Sequence, residues 1–290
     1  MNTVAQPAVT APAERRHHAR GGQAAKLLAF LRRDFLIAWS YRTSFVSDIL
    51  GLGFALLSFY FVGLMVDPAV IPAYGGERAT YMEFVAIGLL FGVFVSIGLG
   101  RVAAALRTEQ LTGTLESVLV TPTPPAVIQF GSVLYELLYL PVRTALFFAL
   151  IAVAFGVHVE LGGIPAAALV FVAFLPFVWG LGIFSAAASL TVRRGAGGVG
   201  LVVGAMTLFS GAYFPAHLLP GWLEETVAFN PIGITLEGMR ESLLGGARVG
   251  DVWRDAAILL PISILSLGIG ALAFKLALRR ERRAGTLGLY

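Results

Sequence analysis

Six long apolar blocks constrain this chain more than any other feature; they fall at residues 45–66, 81–104, 126–157, 164–192, 198–214 and 256–278. A helix that crosses the hydrocarbon core of a bilayer needs about 20 mostly apolar residues, each adding about 1.5 Å. The third and fourth blocks exceed that length, so they tilt, kink or project from the membrane. Pro141 and Pro176 mark the expected kinks. The fifth block is short and runs directly into Pro215. Only 13% of the 290 residues are charged and 57% are hydrophobic, whereas a soluble domain carries about 25% charged residues. A soluble enzyme is therefore excluded. The expected fold is an all-α membrane protein with six transmembrane helices.

Orientation follows from where the basic residues fall. Sixteen of the 21 Lys and Arg fall on one side: before the first block, in the even-numbered loops or after the last block, counting Arg101 and Lys275 at the adjoining block ends. The opposite side holds only Arg78, Arg240, Arg248 and Arg254 against ten acids, counting Glu83 at the start of the second block. The positive-inside rule then places both termini in the cytoplasm. Residues 1–22 read as a disordered basic tail and 281–290 as a second cytoplasmic tail. Over residues 23–43, Leu27, Leu28, Leu31, Phe35, Ala38 and Trp39 share one helical face, with Lys26, Arg33 and Ser40 on the other. This pattern predicts an amphipathic helix lying at the lipid boundary; the alternative is an extension of the first crossing helix.

Catalytic constellations are missing from the sequence. The two lysines, Lys26 and Lys275, sit in no glycine-rich phosphate loop. The histidines His17, His18, His158 and His217 lack metal-ligand spacing, and there is no Cys. The pairs Gly88/Gly92 and Gly200/Gly204 have the spacing of close helix contacts. The expectation is a protein that is not an enzyme and binds no metal or cofactor of its own.

The segment 107–125 has a different character. Gly113 ends the helix descending from the second block, and Glu116 can cap a short new helix at its positive end. Leu115, Val118 and Leu119 would share one face, and the prolines from Pro122 stop the helix. A stiff amphipathic element below the bilayer suits docking or force transfer; an ordinary helix–turn connection is the other reading.

Glu109, Gly113-Thr114-Leu115-Glu116 and Thr121-Pro122 between the second and third spans resemble the type-2 ATP-binding-cassette exporter permeases. So do Ser210-Gly211-Ala212-Tyr213-Phe214-Pro215, Leu219-Pro220, Asn230-Pro231-Ile232 and Arg240. The likeness covers about residues 23–280, with Ile234 standing where the family often has a polar or aromatic residue. The resemblance implies a six-helix transmembrane domain over 44–280. It implies that Arg107, Glu109, Gly113, Thr114, Leu115, Glu116, Thr121 and Pro122 couple to two separate cytoplasmic P-loop ATPase subunits. ATP and Mg would be bound by those partners and not by this chain. A second copy of the chain, or a sister permease, would complete the translocator.

The stretch 215–245 supports the same picture from its residues. Pro215, Pro220 and Gly221 prevent a continuous helix, and Trp222 suits headgroup depth. The part around Pro231, Glu237 and Arg240 is too polar to face lipid, so an outer-side re-entrant helical hairpin is expected, with a surface loop as the alternative. Inside the third block lie Tyr135, Glu136, Tyr139 and Arg143. Charges at that depth must face protein or water. They line a substrate path or form a packing network, while Asp48 sits at the boundary of the first block.

These readings combine into the permease subunit of an ATP-driven exporter. It would move a hydrophobic or amphipathic compound (a drug-like molecule, a lipid or a lipid-linked glycan) across a bacterial inner membrane. The alternative is a proton-coupled carrier that uses Glu136. Membrane lipid is the only other expected partner; no nucleic acid is.

Overall fold

The computed structural model describes residues 23–40, 42–111, 125–191 and 195–284, and within these it is almost wholly helical. The helices are α1 (Gln23–Ser40), α2 (Arg42–Gly63), α3 (Tyr81–Leu111), α4 (Pro125–Phe155), α5 (Ile164–Thr191), α6 (Gly195–Leu208), α7 (Gly221–Val227), α8 (Pro231–Leu243) and α9 (Val249–Ala284). Two short strands, β1 (Ala73–Tyr74) and β2 (Glu77–Arg78), form a hairpin in the α2–α3 connection.

Among the described residues, four stretches are long and apolar enough to cross a bilayer: Tyr81–Gly100, Leu137–Phe155, Leu161–Thr191 and Val249–Arg280. The other two expected spans are shorter apolar helices, Leu50–Gly63 and Gly197–Leu208. The fifth block was expected to stay helical to residue 214. Instead α6 ends at Leu208, because Gly211 adopts a left-handed φ of +78° and Pro215 follows. The last helix begins earlier than its apolar block, since Asp251 accepts from the Arg248 amide and supports a polar first turn.

α3 is the axis of the bundle. In its span 72% of residues are buried, against 22% in that of α9. On one side Phe91 packs against Phe174 of α5 and Phe94 against Phe171, each pair with ring centroids 4.9 Å apart. On the other side Leu89 and Leu90 join Leu52 and Leu56 of α2 and Phe147 and Ile151 of α4. The most extensive helix pairing is α5 with α9. It depends on small residues: a side chain at Gly180 would collide with the Ser266 backbone, and one at Gly270 with the Gly180 carbonyl. Ser266 also donates its hydroxyl to the Phe177 carbonyl at 3.1 Å. Lipid tails offer no hydrophobic contrast, so this close backbone packing is what holds the two helices together.

The expected glycine pairs behave unequally. Gly88 lies hard against the Ala212 carbonyl and Gly92 against Tyr213 and Thr207. Gly204, by contrast, faces open space and Gly200 touches only Leu99 at 4.0 Å. Among the described residues, that second pair is therefore not a helix contact. α1 packs against α4. Its half-buried positions are Leu27, Phe30, Leu31 and Asp34, while Leu28, Phe35, Leu36 and Ile37 are exposed. The face expected to act as one is thus split between protein and surroundings.

Replacing Gly180 by Val is expected to cost about 1–3 kcal/mol through overpacking. Gly204→Ala should stay within about 0.5 kcal/mol. Thermal unfolding of the purified variants in detergent measures both.

Candidate functional site

At one end of the bundle the chain between α6 and α9 folds into a cap. Its order is a turn at 209–215, a single 3-10 turn Ala216–Leu218, then α7 and α8. Pro215 and Pro220 sit immediately before the 3-10 turn and α7. Both lack the amide that would continue a preceding helix. α8 starts cleanly: Asn230 accepts from the Ile232 amide at 3.1 Å, and Pro231 occupies the first turn. The Asn230 side-chain amide also donates to the Met206 carbonyl at 2.7 Å, tying the start of α8 to α6.

The two arms of the cap differ in surroundings. On α7 and its flanks Trp222, Phe229 and Leu218 are exposed. α8 is enclosed, with Ile232, Thr235, Leu236 and Ser242 fully buried against α3, α5 and α9. Its hydroxyls are satisfied within the helix: Thr235 donates to the Pro231 carbonyl at 2.7 Å and Ser242 to that of Gly238 at 2.6 Å. Ile234 is half-buried and packs on the main core. A polar helix at this place is tolerated because protein surrounds it.

Arg240 organises the cap. It is 2% exposed. Nη1 donates to the Gly211 carbonyl at 3.0 Å, and Nη2 to the carbonyls of Ala212 and Phe84, each at 3.1 Å. The guanidinium lies 3.5 Å from the centre of the Phe84 ring. Its carboxylate neighbour Glu237 stands at 4.0 Å and is half exposed. Tyr74, from the hairpin, donates to Glu237 at 3.3 Å. Burial pulls the Arg240 pKa down, and Tyr74 and Glu237 oppose that shift. Burial raises the Tyr74 phenol above its ordinary value, so Tyr74 stays a neutral donor at neutral pH. The charge is held mainly by backbone dipoles and one aromatic face.

Two supporting pieces escaped the sequence reading although signals for them exist. Thr80-x-x-Glu83 is a capping box at the start of α3: the Glu83 amide donates to Thr80 Oγ1 at 3.2 Å, and the Thr80 amide to Glu83 Oε2 at 2.8 Å. Glu83 also accepts from the His158 amide at 3.1 Å, which ties the α4–α5 loop to α3. Gly75-Gly76, with φ of +62° and +89°, is the two-residue turn of the hairpin that presents Tyr74.

α4 carries Tyr135, Tyr139, Arg143 and Phe147 four residues apart, from just before its span Leu137–Phe155 to the middle of it. The tyrosine rings stack at 5.2 Å, and the Arg143 guanidinium lies 5.0 Å from the Phe147 ring. Arg143 is 4% exposed and Phe147 belongs to the core of α2, α3 and α4. Arg143 therefore points into its own bundle, while Tyr135 and Tyr139 are half-buried. The outward face of α4 is apolar, with Val142 and Val153 exposed. The side chain of Glu136, like those of Asp48, Arg107 and Glu109, lies outside the described residues, as do Gly113, Thr114, Leu115, Glu116, Thr121 and Pro122 altogether. Among the described residues, no cluster of His, Asp and Glu could hold a metal ion.

A bundle of apolar helices closed at one end by an irregular, protein-enclosed cap is a multi-pass membrane protein. The ABC-2 type transporter family matches residues 25–244, and the chain belongs to that family of membrane transport subunits. A relative, Linearmycin resistance permease protein LnrN of Bacillus subtilis (strain 168), is 32% identical over 114 residues. The likeness covers 39% of this chain and 30% of the relative.

Arg240→Met leaves the Gly211 and Ala212 carbonyls without their donor and should cost about 2 kcal/mol or more. Arg240→Lys should recover only part of this, since an ammonium cannot span three acceptors as the fork does. Unfolding in detergent checks both. Burial first, then the charges of Glu237, Asp255 and Asp251, raise the Glu241 carboxyl above its ordinary value. Such a group favours the fold while protonated, and that contribution is lost as pH rises through the raised value. Glu241→Gln is thus expected to lessen the decline in melting temperature between about pH 4.5, the ordinary carboxylate value, and neutrality.

Proposed function

We propose that this chain is the six-span permease subunit of an ATP-driven exporter in a bacterial inner membrane. Both termini lie in the cytoplasm and the cap lies on the outer side as a re-entrant hairpin. The observation that carries the reading is the family match across residues 25–244. The charge asymmetry of the loops and the segment from Gly113 to Pro122 add to it. Two cytoplasmic ATPase subunits supply ATP and Mg, and a second copy of the chain or a sister permease completes the path. The cargo is a hydrophobic or amphipathic compound. Its class is supported by the resistance role printed in the relative's name and by exposed apolar faces on α2, α4 and α9.

The fold suggests how the work is passed on. α3 is a single helix of 31 residues, about 45 Å long at the helical rise. Leu111 at its lower end adjoins the coupling segment, and Phe84 at its upper end is bonded to Arg240. Closure of the ATPases pushes the Arg107–Pro122 segment. α3 then carries that displacement to the cap as a rigid body. Tyr135 and Tyr139 on α4 meet the cargo, and Arg143 holds α4 in place.

Co-purification with an ATPase, followed by drug uptake into inverted vesicles containing both, tests this. Glu116→Arg is expected to lose the ATPase and with it transport. Arg240→Lys should keep the ATPase while slowing transport severalfold. In liposomes without the ATPase the chain should stay idle under any ion gradient; gradient-driven uptake there, abolished by Glu136→Gln, would favour the proton-coupled carrier.

A further inference from the structure

The end of α9 away from the cap carries an unassigned feature. Leu276, Arg279, Arg280 and Arg283 lie together on an open surface there. Their spacing of i, i+3, i+4 and i+7 sets them on one helical face. All three arginines are exposed. Among the described residues, no carboxylate lies within ion-pair distance of any of them. Three guanidinium groups a turn or less apart repel one another unless an anion sits between them.

The same face continues upward as a stripe of exposed apolar side chains, Leu265, Ile269, Leu272 and Leu276. From Leu265 to Leu276 the helix rises about 16 Å. Half of a hydrocarbon core of about 30 Å is about 15 Å. The stripe is therefore one leaflet deep, and the arginines stand where that leaflet's phosphates lie. We infer that this face of α9 is a binding site for an anionic glycerophospholipid of the leaflet opposite the cap. The acyl chains lie along Leu265–Leu276, and the phosphodiester is gripped by Arg279, Arg280 and Arg283. Guanidinium forks match phosphate oxygens two at a time, and a headgroup without a compensating ammonium leaves the full negative charge for them. The inference depends only on the helix crossing the bilayer, and not on the direction of transport.

The test uses the full chain in phosphatidylcholine nanodiscs containing a minor fraction of spin-labelled phosphatidylglycerol, reading the immobilised label. Wild type should select phosphatidylglycerol over labelled phosphatidylcholine. Removing each arginine singly should weaken the preference about fivefold, as for about 1 kcal/mol per basic residue at a membrane surface. R279Q/R280Q/R283Q should abolish it, and R279K/R280K/R283K should restore part of it. R32Q, on α1, should leave it unchanged. Should the triple Gln variant fail to assemble, R280Q and the triple Lys variant still decide. Equal loss in R32Q would mean general attraction to basic surface and would overturn the site. So would wild-type selectivity in the triple Gln variant, or release of the label by inorganic phosphate alone. If the triple Gln variant keeps its lipid preference but no longer co-purifies with the ATPase, the arginines serve a protein contact instead.

Discussion

Where α3, α8 and the turn after α6 meet, the carbonyls of Gly211 and Ala212 lie outside helix and sheet, and one buried guanidinium satisfies them while also reaching the Phe84 carbonyl of α3. Arg240 donates to Gly211, Ala212 and Phe84 and lies over the Phe84 ring. Burying such a charge is costly unless hydrogen bonds replace its hydration. Three carbonyl dipoles and an aromatic face do so here, with Glu237 nearby as a partly solvated counter-ion. Because the acceptors come from two separate parts of the chain, α3 and the turn after α6, and the donor from a third, the guanidinium ties the cap to α3.

Close backbone approach reinforces this joint. Gly88 lets the Ala212 carbonyl reach α3, Gly163 admits that of Ser242 to the start of α5, and Gly75 that of Gly245 to the hairpin. The Glu160 amide donates to the Leu243 carbonyl at 2.8 Å. At the cap end nearly every element touches another through backbone or a short polar side chain. The far end of α9 is held differently, with Ala277 and Phe274 packed on Ala186 and Ala187 of α5 and Arg279, Arg280 and Arg283 exposed. One end of the bundle is thus pinned by polar geometry and the other by small-residue packing.

Much of this was legible in the residues. Apolar blocks announced the helices, and Pro215, Pro220 and Pro231 marked the cap's interruptions because proline removes the amide a continuing helix needs. Thr80 with Glu83 and Gly75-Gly76 carry local signals as clear, and they fell between the apolar blocks on which the reading concentrated. Arg143 was harder. Its depth is evident from position, but whether it faces its own bundle or an open surface depends on which side of α4 meets α3. Gly200 and Gly204 illustrate the same limit, since the spacing that lets two helices approach cannot say that a second helix is there.

The amino-acid order alone determined that this chain is a bundle of membrane helices, with basic ends and a proline-broken stretch before the last helix. Those properties follow from transfer of apolar groups out of water, from the missing amide of proline and from charge, all of which act within a short stretch of chain. The tertiary structure alone decided that Arg240 is the joint of the cap, that Arg143 packs inward and that α3 is the axis. Each of these rests on acceptors, rings or neighbouring helices supplied by residues tens to hundreds of positions away, and no local pattern encodes which distant partner will arrive.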